Sequence, residues 1–298
     1  MKIGCIGQGF VGKNMANDFE SRGFSVVRYS LEPEYCNNAK EISTCDVVFI
    51  AVPTPTTPAG FDYNVVAETL SLVREGCIAV IKSTVLPGTS ATLQQQYSAI
   101  TVLFSPEFLS EKSAAYDAAN PIINVVGVTA DTKAQQMAAK KVMDLLPTSE
   151  HNQIVSAEAA ELFKYAHNLN GYFRVILSNL LFEVAEQFSV TWEQVKTLMD
   201  VDVMMSPYYN NPVHKAGRGA GGNCFIKDMA AFRQLYQSTV VDDTLGLEVL
   251  RSLERKNAEL LTSSGKDQSL LRSVYDQEDL LKQKDKQLSE VDLPLKYI

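Results

Sequence analysis

One cysteine lies in a stretch whose composition suits a nucleophile. Cys224 follows Gly219-Ala220-Gly221-Gly222-Asn223 and is soon followed by Lys227 and Asp228. Three glycines allow a close approach of the backbone to a ligand. If the residues after Phe225 form a helix, its N-terminus would stabilise a thiolate. A free cysteine is more often a buried structural residue, so this stretch alone leaves both interpretations open.

Two pairs of polar residues are each spaced four positions apart. Glu107 and Glu111 follow a predicted strand, and on a helical turn they would face the same way. Lys164 and Asn168 lie in a long predicted helix and could present an ammonium and an amide to one point. Solvated surface is the usual position of such side chains. A functional role for these pairs is therefore supported only by their position in the fold.

The first predicted strand runs directly into the spacing Gly7-x-Gly9-x-x-Gly12, in which Phe10 and Val11 open a helix. A strand, a glycine turn and a helix at the start of a βαβ unit form the context of a dinucleotide-binding fingerprint. The free N–H groups at the helix N-terminus can receive a pyrophosphate. The alternative, a glycine-rich turn without a ligand, is the minority case in this context.

The end of the second predicted strand leaves the type of dinucleotide open. NAD enzymes usually place Asp or Glu there to bind the ribose 2′-OH. The aligned residue is Ser30, with Arg28 before it and Glu32 after it. Arg28 and Ser30 would tolerate the 2′-phosphate of NADP, whereas Glu32 could replace the missing carboxylate; Arg28 could equally be a plain surface charge. We expect NAD, with NADP not excluded.

Two further turns stand at the carboxyl ends of predicted strands. Pro53 and Thr54 follow the third strand, and Ser83 and Thr84 follow the fourth. Ligands of open α/β sheets bind at this edge. As isolated strings these residues could also be ordinary turns.

Short apolar runs alternate with helical patterns up to residue 155, which is typical of an α/β fold with a Rossmann-like, doubly wound parallel sheet. The predicted strands are Ile3–Ile6, Ser25–Tyr29, Val47–Val52, Ile78–Ile81, Val102–Phe104 and Ile122–Val128. The predicted helices between them are Val11–Ser21, Asn64–Arg74 and Thr132–Leu146. We therefore expect an NAD(P)-binding domain at residues 1–155.

From Ser156, which suits an N-cap, the pattern becomes helical. The predicted helices are Glu158–Gln187, one that starts at a capping box at Thr191, Lys227–Tyr236 and Thr244–Leu261. We expect an all-helical central domain at residues 156–262, which would carry Cys224, and a polar C-terminal tail at 263–298.

The composition argues against several classes of function. The 298 residues are 46% hydrophobic and carry a formal net charge of -8, which is ordinary for a globular protein and unsuited to a nucleic-acid binder. The five cysteines are widely spaced without a C-x-x-C, so we expect a reducing cytoplasm and no disulfide framework. The three histidines are scattered, and we predict no metal. Neither a signal peptide nor a membrane span is expected.

Seven motifs occur in the order found in UDP-glucose 6-dehydrogenases, and the chain resembles the UDP-glucose/GDP-mannose dehydrogenase family. The motifs are Gly7 to Gly12, Val52-Pro53-Thr54-Pro55, Ser83-Thr84-Val85, Pro106-Glu107-Phe108-Leu109, Lys164 with Asn168, Tyr209-Asn210-Asn211-Pro212 and Gly221 to Asp228. The resemblance runs from residue 1 to about 260. Its last motif, with Phe225-Ile226-Lys227-Asp228 after the cysteine, is more similar to the UDP-glucose and GDP-mannose members than to the N-acetylhexosamine members.

The resemblance implies a nucleotide-sugar 6-dehydrogenase that oxidises a sugar primary alcohol to a carboxylate, with two NAD molecules per turnover. Cys224 would hold the aldehyde as a thiohemiacetal and then as a thioester, which water hydrolyses. Lys164 would stabilise the oxyanion, and Asn168 would add a hydrogen bond. The residues implied in proton transfer and in positioning the water are Asp228, Thr84 and Glu107.

The same resemblance implies two sets of binding residues. The cofactor would be bound by Gly7, Gly9, Phe10, Val11, Gly12, Ser30, Pro53, Thr54, Thr84, Glu111 and Lys227. The nucleotide sugar would be bound by Phe108, Leu109, Lys164, Asn168, Tyr209, Asn210, Asn211 and Gly221. The expected substrate is UDP-glucose, the expected product is UDP-glucuronate for polysaccharide synthesis, and the expected assembly is a homodimer formed through the long helices.

Two other functions remain open. Members of the family usually carry a third, C-terminal domain that grips the nucleotide, and the sequence ends before it. A non-catalytic dinucleotide-binding module completed by a partner is therefore one alternative. The other is a two-electron β-hydroxyacid dehydrogenase, whose related architecture also places a lysine and an asparagine on the long helix. That enzyme needs no nucleophile, so Cys224 argues against it.

Overall fold

The structure, a computed structural model, describes residues 1–215 and 217–275. The chain divides into two compact units. The sheet unit comprises Met1–Pro55 and Phe61–His167, and the helical unit comprises Thr56–Gly60 and the residues from Asn168 onward. The division falls inside a long helix, whereas the sequence predicts a boundary at residue 155. The part of the predicted polar tail at 276–298 lies outside the described residues.

The described residues form short strands and helices in alternation, followed by long helices. In chain order, the strands are β1 (Lys2–Ile6), β2 (Ser25–Tyr29), β3 (Val47–Ile50), β4 (Thr56–Thr57), β5 (Gly60–Phe61), β6 (Ile78–Ile81), β7 (Thr101–Phe104), β8 (Ile123–Val128), β9 (His151–Ser156), β10 (Val213–His214) and β11 (Gly217–Arg218). The α-helices are α1 (Phe10–Ser21), α2 (Ala39–Ile42), α3 (Asn64–Leu70), α4 (Thr89–Gln96), α5 (Ala114–Ala119), α6 (Lys133–Met143), α7 (Ala157–Gln187), α8 (Trp192–Val201), α9 (Gly222–Thr239), α10 (Thr244–Ser263) and α11 (Gln268–Val274).

Seven strands of the sheet unit form one sheet in the order β2-β1-β3-β6-β7-β8-β9. Neighbours are parallel except β7 and β8, which pair antiparallel. From β1 the chain moves to β2 on one side and then to β3 on the other. Such a switch in direction opens a crevice at the carboxyl ends of the strands, where ligands of α/β sheets bind. The predicted doubly wound fold is confirmed.

Both faces of the sheet are apolar, which explains the unbroken hydrophobic runs of its strands. Alternate residues of β3 belong to different clusters: Val48 and Ile50 pack with one core, and Val47 and Phe49 pack with the other. Side chains from α3 and α4 close the first cluster, and side chains from α1 and α6 close the second. A strand buried on both faces needs apolar residues at every position, and all four residues of β3 are fully buried.

One strand of this sheet has no apolar pattern, and the sequence does not predict it. β9 reads His-Asn-Gln-Ile-Val-Ser and lies at the sheet edge, where most of its residues are exposed. It pairs with β8 over its whole length, from Ile123 opposite His151 to Val128 opposite Ser156. Backbone hydrogen bonds define this strand, so no periodic burial marks it in the sequence.

The helical unit is built mainly from α8 to α11 and the part of α7 beyond His167. It is not all-helical as predicted, because it also contains β4 and the antiparallel pair β10 and β11. Side chains from α9, α10 and α11 form its compact core, which contains Ile226, Ala230, Ala258, Leu261, Leu271, Val274 and Tyr275. At the predicted capping box, the Thr191 N–H donates to Gln194 Oε1 at 3.0 Å and starts α8. Among the described residues, no helix is both long and apolar enough to cross a membrane.

The described part of the predicted polar tail is a folded segment of the helical unit. The sequence predicts polar, solvated chain from residue 263, whereas residues 268–274 form α11. Leu271, Val274 and Tyr275 are buried against residues of α9 and α10. Their burial removes apolar surface from water, which stabilises the short helix.

Candidate active site

The glycine turn after β1 is shaped by close backbone contacts. Gly7 has a φ of +87°, and a Cβ there would lie 2.1 Å from Ala51 O. A Cβ at Gly12 would lie 1.9 Å from Gly7 O, so both positions exclude any side chain. A Cβ at Gly9, the N-cap of α1, would meet nothing within 4 Å. The turn therefore packs tightly on itself and leaves open space at Gly9, where a pyrophosphate could reach the helix N–H groups.

Arg28, the cation that could accept a 2′-phosphate, is already paired within the sheet unit. Its guanidinium donates to both carboxylate oxygens of Glu20 at 2.9 and 2.7 Å and to Asn17 Oδ1 at 2.7 Å. The hydrogen bond from Arg28 holds the pKa of Glu20 below its ordinary value. Ser30 Oγ accepts the Glu32 N–H at 3.3 Å, which stabilises the turn after β2. A bidentate ion pair with Glu20 disfavours a second anion on Arg28.

The turns after β3 and β6 are joined by side-chain hydrogen bonds. Ser83 Oγ donates to Val52 O at 2.7 Å and accepts the Val52 N–H at 2.9 Å. Thr54 Oγ1 donates to Thr84 O at 2.7 Å, and Thr54 is buried. The two predicted ligand-binding turns thus lie side by side at the carboxyl edge of the sheet. The hydroxyl of Thr54 thus stabilises the contact between the two turns, and the neighbouring Pro53 is exposed.

Lys164 and Glu107 form a buried ion pair in the sheet unit. Lys164 Nζ donates to Glu107 Oε1 at 3.0 Å and to Glu107 O at 2.6 Å, and Lys164 is only 3% exposed. Glu107 Oε2 accepts the Leu109 N–H at 2.8 Å. Burial raises the pKa of Glu107, but Lys164, the Leu109 N–H and Lys82 outweigh it and hold this pKa below its ordinary value. The site therefore carries an ionised carboxylate and an ammonium held in fixed positions.

A second buried lysine, which sequence reasoning misses, supports the same segment. Lys82 follows β6, and its Nζ donates to Pro106 O at 2.9 Å and to Ser105 Oγ at 3.2 Å. Burial lowers the pKa of Lys82 to about 8, against the nearby charge of Glu107. The available signal is its position: a lysine directly at the end of the apolar strand Ile-Ala-Val-Ile cannot reach solvent easily.

The residues around Glu107 do not form the helical turn considered from the sequence. Residues 105–110 have no regular secondary structure. Glu107 is paired with the buried Lys164 and Glu111 is exposed, so the two glutamates do not share a face. Phe108 covers the ion pair, with Lys164 Nζ 5.3 Å from its ring centre. The His167 ring lies 4.9 Å from the Phe108 ring, at an interplanar angle of 57°.

Asn168 and Asp228 form a hydrogen-bonded pair in the helical unit. Asn168 Nδ2 donates to Asp228 Oδ2 at 2.6 Å, and Lys227 Nζ donates to Asp228 Oδ1 at 2.6 Å. Asp228 is 1% exposed. Both carboxylate oxygens of Asp228 therefore accept a hydrogen bond from a side chain of the same unit. Lys227, predicted beside the cofactor, is here the counter-ion of Asp228.

Cys224 is exposed and lies in the first turn of α9, which begins at Gly222. The helix anticipated after the glycines is therefore present, and a thiolate would be stabilised by its N-terminal N–H groups. Tyr209 lies close enough for Cys224 to contribute, after burial, to the raised pKa of its phenol. The Tyr209 ring contacts the Phe225 ring at 5.4 Å.

Asn210 is predicted at the sugar site, but the structure buries it inside its own loop. Its Nδ2 donates to Asp200 Oδ1 and to Ser206 O, both at 3.0 Å. Its Oδ1 accepts from Arg174 Nη2 at 2.8 Å. These bonds use its side-chain donors and acceptor to shape the loop, so the amide of Asn210 is not available to a sugar. The neighbouring Asn211 is exposed.

Gly221 also differs from the expectation that it approaches a substrate. A Cβ on Gly221 would lie 2.0 Å from Asp267 Oδ2, a side chain of the same unit. At Gly219 it would lie 3.0 Å from Asn257 Oδ1. These glycines are required by contacts within the protein. Among the described residues, no group of three or more His, Cys, Asp and Glu side chains could hold a metal ion.

Two family models match the chain in succession. The NAD binding domain of the UDP-glucose/GDP-mannose dehydrogenase family matches residues 34–143, and the central domain of the same family matches residues 158–259. The chain belongs to the UDP-glucose/GDP-mannose dehydrogenase family. The resemblance stated from the motifs and the expectation of NAD are thereby confirmed. The glycine turn fits NAD, although it precedes the matched range.

Individual relatives and solved structures are similar to the chain over most of its length. A UDP-glucose 6-dehydrogenase of Rickettsia prowazekii is 27% identical over 255 residues, covering 81% of this chain and 58% of the relative. In fold, the chain is similar to a UDP-glucose dehydrogenase of Pyrobaculum islandicum, with a TM-score of 0.73, 24% identity and coverage of 87% and 68%. A 3-hydroxyisobutyrate dehydrogenase of Mycobacterium tuberculosis has a similar fold, with a TM-score of 0.67, 14% identity and coverage of 92% and 98%. The chain spans between 50% and 64% of the length of the curated relatives it matches.

Proposed function

We propose that this member of the UDP-glucose/GDP-mannose dehydrogenase family is a UDP-glucose 6-dehydrogenase that forms UDP-glucuronate. The observation that carries the proposal is Cys224, an exposed thiol in the first turn of α9. A dehydrogenase that stops at an aldehyde or ketone needs no nucleophile. A thiol that captures an aldehyde allows one site to complete a four-electron oxidation. Relatives named UDP-glucose 6-dehydrogenase support the choice of sugar.

In the first oxidation, a carboxylate base would take the proton of the sugar C6 hydroxyl as a hydride leaves the C6 carbon. When bound at the glycine turn, NAD supplies the acceptor for this hydride and for the later one. Glu107 and Asp228 are the candidate bases. Glu107 is paired with Lys164, and Asp228 is paired with Lys227 and Asn168. The ammonium of Lys164 is the group that stabilises oxygen anions at C6.

Cys224 then performs the step that distinguishes this reaction. Its thiolate adds to the C6 aldehyde, and the new oxyanion is stabilised by Lys164 with a hydrogen bond from Asn168. Loss of the second hydride from C6 leaves a thioester. A water molecule, positioned by Thr84, Glu107 or Asp228, attacks the thioester carbon. The carbon–sulfur bond breaks, the acid is released and the thiolate is regenerated.

The decisive assay mixes the purified chain with UDP-glucose or GDP-mannose and with NAD or NADP. We expect two reduced NAD molecules per UDP-glucuronate formed. A matched pair of variants isolates the thiol: Cys224→Ala is expected to abolish acid formation, whereas Cys36→Ala, an exposed cysteine of the sheet unit, is expected to retain it. Absence of reduced cofactor with every pairing would contradict the proposal for this chain.

A two-electron β-hydroxyacid dehydrogenase is the second candidate, because the fold is similar to 3-hydroxyisobutyrate dehydrogenases over almost the full length of both chains. Such an enzyme would keep its activity in the Cys224→Ala variant. Mass spectrometry of the protein after mixing with UDP-glucose and NAD separates the two candidates. An adduct on Cys224 is expected only from the four-electron route.

We also propose a cytoplasmic homodimer that forms through α7 and supplies UDP-glucuronate for polysaccharide synthesis. In the helical unit, α7 exposes an apolar stripe at helical spacing, comprising Phe173, Leu177, Leu180, Leu181 and Val184, and the exposed Phe188 follows directly after the helix. An exposed stripe of this kind marks an interaction surface. Light scattering is expected to give the mass of a dimer for the wild type and of a monomer for Leu181→Lys/Phe188→Glu. A monomeric wild type would contradict the proposed assembly.

A further inference from the structure

Asn257 on α10 holds the backbone of the loop that leads to Cys224. Its Oδ1 accepts the Ala220 N–H at 2.7 Å, and its Nδ2 donates to Ala220 O at 2.9 Å. Asn257 is 2% exposed, so both bonds are made away from water, where an unpaired backbone group is costly. Two further contacts join the loop to the turn after α10: Arg218 N–H to Ser264 Oγ at 3.0 Å, and Lys266 Nζ to Gly219 O at 2.8 Å.

Asp267, just before α11, caps the helix that carries the thiol. Its Oδ2 accepts the Gly222 N–H at 2.7 Å. Gly222 is the first residue of α9, and an N–H in that position has no acceptor within its own helix. Asp267 itself has a φ of +50° in the left-handed region, which aspartate tolerates better than most residues. The cap of α9 is thus supplied from a distant part of the chain.

The requirement for glycine at position 221 follows from this cap. Gly221 has φ −109° and ψ −164°, an extended conformation that any residue adopts. A Cβ there would lie 2.0 Å from Asp267 Oδ2 and 2.8 Å from Lys266 Cε. Any side chain at position 221 would therefore displace the carboxylate that caps α9.

We propose that Asn257 and Asp267 are positioning residues for Cys224. They dock the backbone between Gly219 and Gly222, so that α9 starts at Gly222 and presents the thiol in a wound first turn. The N–H groups of that turn stabilise a thiolate only while it stays wound. This proposal rests on the proposed function: α10 and the segment after it hold the nucleophile Cys224 in position.

The test compares alkylation of Cys224 by iodoacetamide at neutral pH with alkylation of Cys36, measured by peptide mass spectrometry in one sample. Asp267→Asn keeps an acceptor for the Gly222 N–H, whereas Asp267→Ala removes it. Both variants lose the same charge, so the difference between them measures the effect of the hydrogen bond to the Gly222 N–H. We expect Asp267→Ala to alkylate Cys224 about two- to fivefold more slowly than Asp267→Asn, the scale of a helix N-terminal charge interaction.

Two further variants complete the design. Gly221→Ala is expected to slow alkylation of Cys224 to a similar extent, and the double variant with Asp267→Ala to be no slower than either single one, because both remove the same contact. The matched control is Asp243→Ala, which removes the cap of α10 at the Gly246 N–H. It should lower the thermal midpoint without changing the ratio of Cys224 to Cys36 alkylation.

Equal Cys224 alkylation in Asp267→Ala and Asp267→Asn, with no effect of Gly221→Ala, would overturn the proposal. If Asp267→Ala does not fold, as seen by circular dichroism, the comparison of Gly221→Ala with wild type decides the question. In the dehydrogenase assay, Asp267→Ala should lose roughly tenfold or more in kcat through misplacement of the thiol, and Asp267→Asn should recover most of that loss. Alkylation needs no turnover, so failure of the proposed dehydrogenase activity would leave this test intact.

Discussion

Replacing Lys164 with methionine tests the buried ion pair of the sheet unit. The side chains of Lys164 and Glu107 are 4% and 14% exposed. Two hydrogen bonds of 2.6 and 3.0 Å join Lys164 to Glu107. Methionine fills a similar volume but leaves the carboxylate buried without its main partner. Breaking a buried pair on one side costs roughly 3–5 kcal/mol. We expect Lys164→Met to lower the free energy of unfolding by about this amount at neutral pH.

The pH dependence gives a sharper signature. In the wild type, the pKa of Glu107 lies below its ordinary value, so its contribution to stability is present above the ordinary carboxyl range and is lost as pH falls through the lowered pKa. In Lys164→Met, burial still disfavours the ionised carboxylate of Glu107. Only Lys82 and the Leu109 N–H then remain to lower its pKa. The pKa should rise, and the variant should lose stability as pH increases. The difference between the proteins should therefore grow from about pH 4 to about pH 7.

Urea unfolding followed by circular dichroism at several pH values measures both effects. Glu107→Gln added to Lys164→Met removes the unpaired charge and should recover part of the lost stability, without restoring activity. Lys196→Met is the matched control, because it breaks a more exposed lysine–aspartate pair on α8 and should lower stability far less than Lys164→Met. A loss in Lys164→Met as small as that of the control, constant with pH, would refute the reasoning.

Three other changes have defined outcomes. Gly12→Ala places a Cβ 1.9 Å from Gly7 O and should weaken NAD binding at least about tenfold by calorimetry; unchanged affinity would argue against the glycine turn as the cofactor site. Asn210→Ala removes the Oδ1 that accepts from Arg174 and the Nδ2 that donates to Asp200 and to Ser206 O, and it should lower stability by about 1–3 kcal/mol in urea unfolding, whereas alanine at the exposed Asn211 should not. Burial raises the pKa of Glu161 to about 7, so stability should fall as pH rises from the ordinary carboxyl value toward 7, and Glu161→Gln should flatten this slope.

The sequence predicts the elements that local patterns define. Apolar runs locate the strands of the sheet because a strand buried on both faces needs apolar residues throughout. The spacing of Gly7, Gly9 and Gly12 predicts the turn that meets α1, since the backbone at Gly7 and Gly12 excludes a side chain. The glycines before Cys224 likewise anticipate a helix start, and α9 begins there. By contrast, the polar edge strand β9 and the packed α11 carry no periodic signal.

Pairings of polar side chains across long stretches of sequence depend on the tertiary structure. Lys82 reaches Pro106, and Asp267 reaches Gly222, because folding brings separate segments together. The same glycines that suggest an approach to a ligand are instead required by Asn257 and Asp267. Residue types and spacing thus determine which groups can do chemistry and the kind of fold that carries them. Only tertiary packing decides which of those groups are engaged by protein partners, because a buried polar atom without a hydrogen bond is costly.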